Sequence, residues 1–222
     1  AGSGIKLYMN HYRNSKNPVS VTIKNHFDVN SEFGFRARGY IPGVEGRIII
    51  EGSQWENVSR SFYIQDWAAS GPRIEVFDPI ARWTGGRENA AYAITKEKAL
   101  PDSNVLGNVH LHRPMVVVEN GATAPERGIY LSPTSSEALK DISIIDPVSL
   151  PISLDHTEIN ILGTIRNLNI SDRYGILQRT NTGTLTIRSN RHKLTYDNAG
   201  AAGATVFILD TKVEGEITFK NV

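Results

Sequence analysis

A short alternation of apolar and polar residues recurs through residues 142–222, and it limits the fold more than anything else in the chain. It is written as Ile142-Ser143-Ile144, Leu168-Asn169-Ile170, Leu185-Thr186-Ile187 and Val206-Phe207-Ile208, with starts 26, 17 and 21 residues apart. Each is followed by a second short strand: Ile152-Ser153-Leu154, Ile176-Leu177, Leu194-Thr195-Tyr196 or Ile217-Thr218-Phe219, at offsets of 10, 8, 9 and 11 residues. A unit this short cannot bury its own apolar side. It has to stack on neighbours of the same kind, which is the logic of a solenoid. Asp146, Asn160, Asp172, Asn181 and Asp210 crowd the strand ends. Their side chains bond nearby backbone and tolerate left-handed conformations, so they suit the corners of stacked coils.

The same strand chemistry runs through the rest of the chain. Val19-Ser20-Val21-Thr22-Ile23 and Phe33-Gly34-Phe35-Arg36-Ala37 alternate with the period of a half-buried strand. Ile48-Ile49-Ile50, between Arg47 and Glu51, reads as a strand buried on both faces. Further strands are expected at 61–64, 73–77, 109–112, 115–118 and 128–131. The one break is at 84–108. There Glu88 to Leu100, with four alanines and mixed charges, predicts a short helix within an inserted loop. The organisation expected is an N-terminal strand-rich segment, 1–43, followed by coils over 44–222.

Several function classes are excluded by what the chain lacks. With 24 basic and 23 acidic residues in 222, and no run of like charge, there is no footprint for nucleic acid. Without cysteine there are no disulfides and no thiolate metal sites. No stretch approaches the roughly 18 apolar residues of a membrane helix. The chain stops at Val222 just after a strand, so a continuation or a partner chain is expected to cover that edge.

The coils NLNISD, TLTIRS and TVFILD, with their partners YGIL, KLTY and EITF, resemble the right-handed parallel β-helix of pectate-lyase-like enzymes and bacteriophage tailspikes. The resemblance covers 108–222 well and 44–83 moderately. It implies an all-β solenoid, with a β-sandwich as the alternative. A tailspike would be a homotrimer on the virion tail that binds, and often cleaves, bacterial surface polysaccharide. A non-catalytic adhesion stalk and a secreted polysaccharide lyase or hydrolase are the rival readings. None of them needs a cofactor.

Glycoside hydrolysis needs two carboxyls facing one sugar bond. Asp66, Glu75 and Asp78 are the acids nearest tryptophan and are the candidate catalytic residues. Trp55, Trp67 and Trp83 could stack on sugar faces; otherwise they fill the core. Arg82, Arg113 and Arg73 could neutralise an acidic sugar. His110 and His112 stand two apart on one strand and so share a face. Two ligands fall short of a metal site, and they are expected to line a groove instead. Neither a nucleophile elbow nor a phosphate loop is present. The site is expected between Trp55 and Arg113.

Overall fold

The structure is a computed structural model. It describes residues 2–8, 18–39, 43–84, 90–95, 106–119, 121–122, 127–132, 139–145, 152–154, 159–162, 176–179, 184–188, 194–197, 205–209 and 217–220.

The chain passes repeatedly through the same sheets. The first pass is β1 (Ser3–Tyr8), β2 (Val19–Lys24) and β3 (Phe27–Val29). The second is β4 (Phe33–Arg38), β5 (Gly46–Glu51) and β6 (Gln54–Glu56). The third is β7 (Arg60–Gln65), β8 (Arg73–Phe77) and β9 (Ile80–Trp83). The fourth is β10 (Ala90–Thr95), β11 (Leu106–His112) and β12 (Met115–Val118). Then come β13 (Arg127–Ser132) and β14 (Leu139–Ile145), and after them β15 (Ile152–Leu154) and β16 (Ile159–Leu162). The last are β17 (Ile176–Arg179), β18 (Thr184–Arg188), β19 (Leu194–Asp197), β20 (Thr205–Leu209) and β21 (Ile217–Lys220).

Sheet A orders them β1-β4-β7-β10-β13-β15-β17-β19-β21, and sheet B orders them β2-β5-β8-β11-β14-β16-β18-β20. Sheet C holds β12-β9-β6-β3. The protein is all-β, and every pairing among the described strands is parallel. A β-sandwich would bring antiparallel hairpins, and the described strands form none. The pairing of β2 with β5 joins strands on either side of residues 43–44.

Period-2 alternation explains the core. In sheet B, Val21, Ile48, Ile74, Val109 and Ile142 stand in one register row, and Ile23, Ile50, Val76, Leu111 and Ile144 in the next but one. From β5 to β14 these rows are fully buried. In sheet A the matching row is Phe35, Phe62, Tyr92 and Ile129. Phe35 and Phe62 stack at 5.6 Å, and Tyr92 lies tilted 6.4 Å from Phe62. Each fully buried side chain of this kind contributes about 1.5–3 kcal/mol. The Tyr92 hydroxyl lies 2.9 Å from the Pro79 and Met115 carbonyls, so its polar end is satisfied inside the core.

Four expectations change. Ala90–Thr95 is a buried strand of sheet A rather than part of a helix, with the rest of 88–100 outside the described residues. Alanine's helix propensity is weak beside two parallel partners and complete burial. Ile49 faces outward and is only half-buried, so β5 alternates rather than being buried on both faces. The sheet B strand after β14 is Ile159–Leu162, so Ile142 pairs with Ile159 and Ile159 with Leu185. Leu168-Asn169-Ile170 lies outside the described residues. Asn160 accordingly sits inside a strand and not at a corner.

Candidate functional site

Sheet B's outward face is built by a two-residue corner that repeats in register. After β2, β5, β8 and β11 the chain turns through Asn25-His26, Gly52-Ser53, Asp78-Pro79 and Arg113-Pro114. The first residue of each is left-handed, with φ of 51°, 62°, 52° and 51°. Each donates its N–H to the next strand: Asn25 to Glu51 O, Gly52 to Phe77 O, Asp78 to His112 O and Arg113 to Ile145 O, at 2.7–3.0 Å. Asparagine, glycine and aspartate accept that backbone readily; arginine does so at a cost of order 1–3 kcal/mol. The stacked corner sets Arg113 directly over Asp78. The guanidinium grips the carboxylate with Nε and Nη2 at 2.5 and 2.8 Å.

Three residues before Asp78 is Glu75, opposite His110 on β11. Glu75 is buried and sits between two arginines. Arg47 binds Oε2, and Arg73 Nε lies 3.1 Å from Oε1. Burial pushes the Glu75 carboxyl upward, but the hydrogen bond from Arg47 and the charges of Arg73 and Arg47 outweigh it, leaving it below the usual range. The hydrogen bond from Arg113 likewise holds Asp78 low. Phe77 and His112, register partners, stack at 4.3 Å and 18°. Burial against this ring lowers the His112 pKa, partly countered by Glu75, so the imidazole is neutral at pH 7. His110 is buried, with Nε2 3.4 Å from Asn108 Oδ1.

Glu75, Asp78, His110, His112 and Arg113 therefore come together on one face. The other expected site residues do not join them. Trp55, Trp67 and Trp83 are core residues, 2% exposed or less, so no sugar reaches their faces. Tryptophan offers the same apolar area to a core as to a ligand, and Trp55 and Trp83 supply it from strands of sheet C. Asp66 is buried just after β7, left-handed (φ 55°), with Arg38 Nε at 3.7 Å. Arg82 is on sheet C, bonded to Glu119 at 2.9 Å. Arg47 and Phe77 belong to the face and escaped sequence reasoning. Only the cross-strand register reveals them, because their partners are 28 and 35 residues away (Glu75 and His112). Among the described residues no three His, Asp or Glu side chains gather as a metal set.

The face is an ion-pair cluster around one stacked ring pair. A glycosidase acid needs its proton at working pH, hence a raised pKa. Glu75 and Asp78 are both shifted the other way and held by arginine. The same shifts set a pH dependence. Each group binds fewer protons folded than unfolded, so stability rises with pH. The contribution is complete above the ordinary imidazole value of about 6.5, falls as His112 gains charge, and falls again near about pH 4 as the carboxylates protonate. Urea midpoints measured at about pH 8, 6 and 4 should decrease in that order; a midpoint that rises on acidification contradicts the assignment.

Compared with known proteins, the chain matches no family model, no curated protein and no solved structure.

Proposed function

We propose that this chain is a right-handed parallel β-helix, of the kind found in phage tailspikes, that binds bacterial surface polysaccharide along the outward face of sheet B without cleaving it. Repeated passes through three parallel sheets in fixed order favour closure into a helix, and parallel crossovers are right-handed in nearly all proteins. The observation that carries the binding role is the in-register face itself. The half-buried Phe77–His112 stack forms an apolar ridge, flanked by Arg47, Arg73 and Arg113, each about half-exposed. Strands about 4.8 Å apart extend this face along the stack, which suits an extended polymer. The clamped, ionised carboxylates favour recognition over hydrolysis. Assembly as a homotrimer on a virion tail is part of the proposal, and light scattering at three chain masses would support it.

The test is calorimetric titration with capsular and O-antigen polysaccharides from a panel of bacterial strains. At least one should bind, and Phe77→Ala should weaken it about tenfold by removing the ridge. Equal affinity of Phe77→Ala and the parent for the bound polymer would place the site elsewhere.

A further inference from the structure

The outward face of sheet A carries a second cluster, and its electrostatics differ from those of every other arginine site described. Arg38, Arg47, Arg73, Arg82 and Arg113 each lie within 4.0 Å of a carboxylate. Arg36 and Arg60 have no carboxylate among the described residues. Both lie over the same pair of rings. Phe33 and Tyr63 stack at 5.3 Å and 22°. The Arg36 guanidinium is 4.5 Å from the Phe33 centroid and 5.6 Å from that of Tyr63. The Arg60 guanidinium is 5.4 Å and 4.9 Å from the same two. The rings fix both cations by their faces and leave the N–H edges to find acceptors.

Those acceptors are incomplete. Arg36 Nη2 donates to Gln65 Oε1 at 2.7 Å, which turns the Gln65 amide so that Nε2 is the end left to donate. Gln65 is fully buried, and its Nε2 has no hydrogen-bond partner; neither has the buried Arg36 Nε. Buried donors without acceptors cost about 1–3 kcal/mol each, more when charged, and native proteins seldom leave them so. Two cations on one ring pair and two orphan donors are all answered by one kind of group, an oxyanion. We propose that Arg36, Arg60 and Gln65 form an oxyanion site on sheet A that takes the carboxylate of an acidic sugar. That the carrier is a sugar rests on the glycan reading above; the oxyanion site does not.

The test follows the arginine Nε–H signals of the whole chain by two-dimensional NMR during titration with glucuronate, with glucose as the uncharged counterpart and inorganic phosphate as the sugar-free anion. Glucuronate should shift Arg36 and Arg60 saturably while Arg82 and Arg113 stay in place, and glucose should shift none. In Arg60→Gln the response of Arg36 should weaken at least about tenfold, and in Arg60→Lys, which keeps the charge but not the fork, by less. Both variants should melt close to the parent, since Arg60 lies at the rim of the ring stack. The proposal is overturned if glucuronate leaves both arginines unmoved, if glucose moves them equally, or if phosphate alone acts. Shifts with glucuronate together with no binding of any surface polysaccharide would support the site and defeat the glycan reading.

Discussion

Gly34→Val should abolish folding of the N-terminal half, the largest effect of any single substitution considered for this chain. Gly34 sits in β4 where the Trp55 indole crosses over sheet A. A Cβ there would lie 2.5 Å from Ser61 O and from Trp55 Nε1, and closer still to Trp55 Cδ1. Ser61 belongs to β7, whose pairing with β4 fixes its backbone. The indole is fully buried and has no room to retreat. Overpacking against fixed backbone costs more than the usual 1–3 kcal/mol of an extra methylene, and roughly 4–5 kcal/mol or more is expected here. Gly2, with nothing within 4 Å of an added Cβ, is the control, and Gly2→Ala should be neutral. Circular dichroism and urea titration decide it. A Gly34→Val protein as stable as its parent would mean that Trp55 does not lie over β4.

Phe62→Ala should cost about 3–5 kcal/mol. Phe62 is the centre of the aromatic group inside the stack, with Phe35 at 5.6 Å, Tyr92 at 6.4 Å and Trp55 at 6.5 Å. The rings come from three successive strands of sheet A and one of sheet C, so they cannot close over the void together. The contrast is Phe27→Ala on the outer side of β3. That ring is 59% exposed, and its loss should change stability by no more than about 0.5 kcal/mol. Equal costs for the two substitutions would contradict the inward placement of Phe62 and the outward placement of Phe27.

The strands were legible where alternation was strict. Val19–Ile23, Phe33–Ala37 and Arg73–Phe77 fall within β2, β4 and β8. Short β3 and β6, of three residues each, offer no window long enough for a period to show. β10 was hidden because Ala-Ala-Tyr-Ala has helical propensity, which two buried partners override. Asn25, Asn30, Asn57, Asp66, Asp78 and Asn108 take left-handed backbone by the chemistry expected of corners, but of the corners expected from sequence Asn160 lies in a strand and Asp146, Asp172, Asn181 and Asp210 lie outside the described residues. Arg113 in the same conformation was not foreseeable, because its Asp78 partner is 35 residues away. The site was read in part for the same reason. Glu75, Asp78, His110, His112 and Arg113 were singled out by residue type, and they gather on sheet B. The tryptophans were singled out by type too, and type cannot tell a core ring from a stacking platform. Arg36, Arg60 and Gln65 are ordinary polar residues in the sequence. They acquire meaning only when the register of β4 and β7 brings them to one ring pair.

The proposed recognition of a polysaccharide without cleavage is tested in both its halves by one measurement. A polysaccharide found to bind is incubated with the protein and run on gel filtration with light scattering. Polymer and protein should elute together, and the polymer recovered after the protein is removed should have its starting mass. A polymer that becomes shorter contradicts the proposal, as does full-length polymer that elutes apart from the protein.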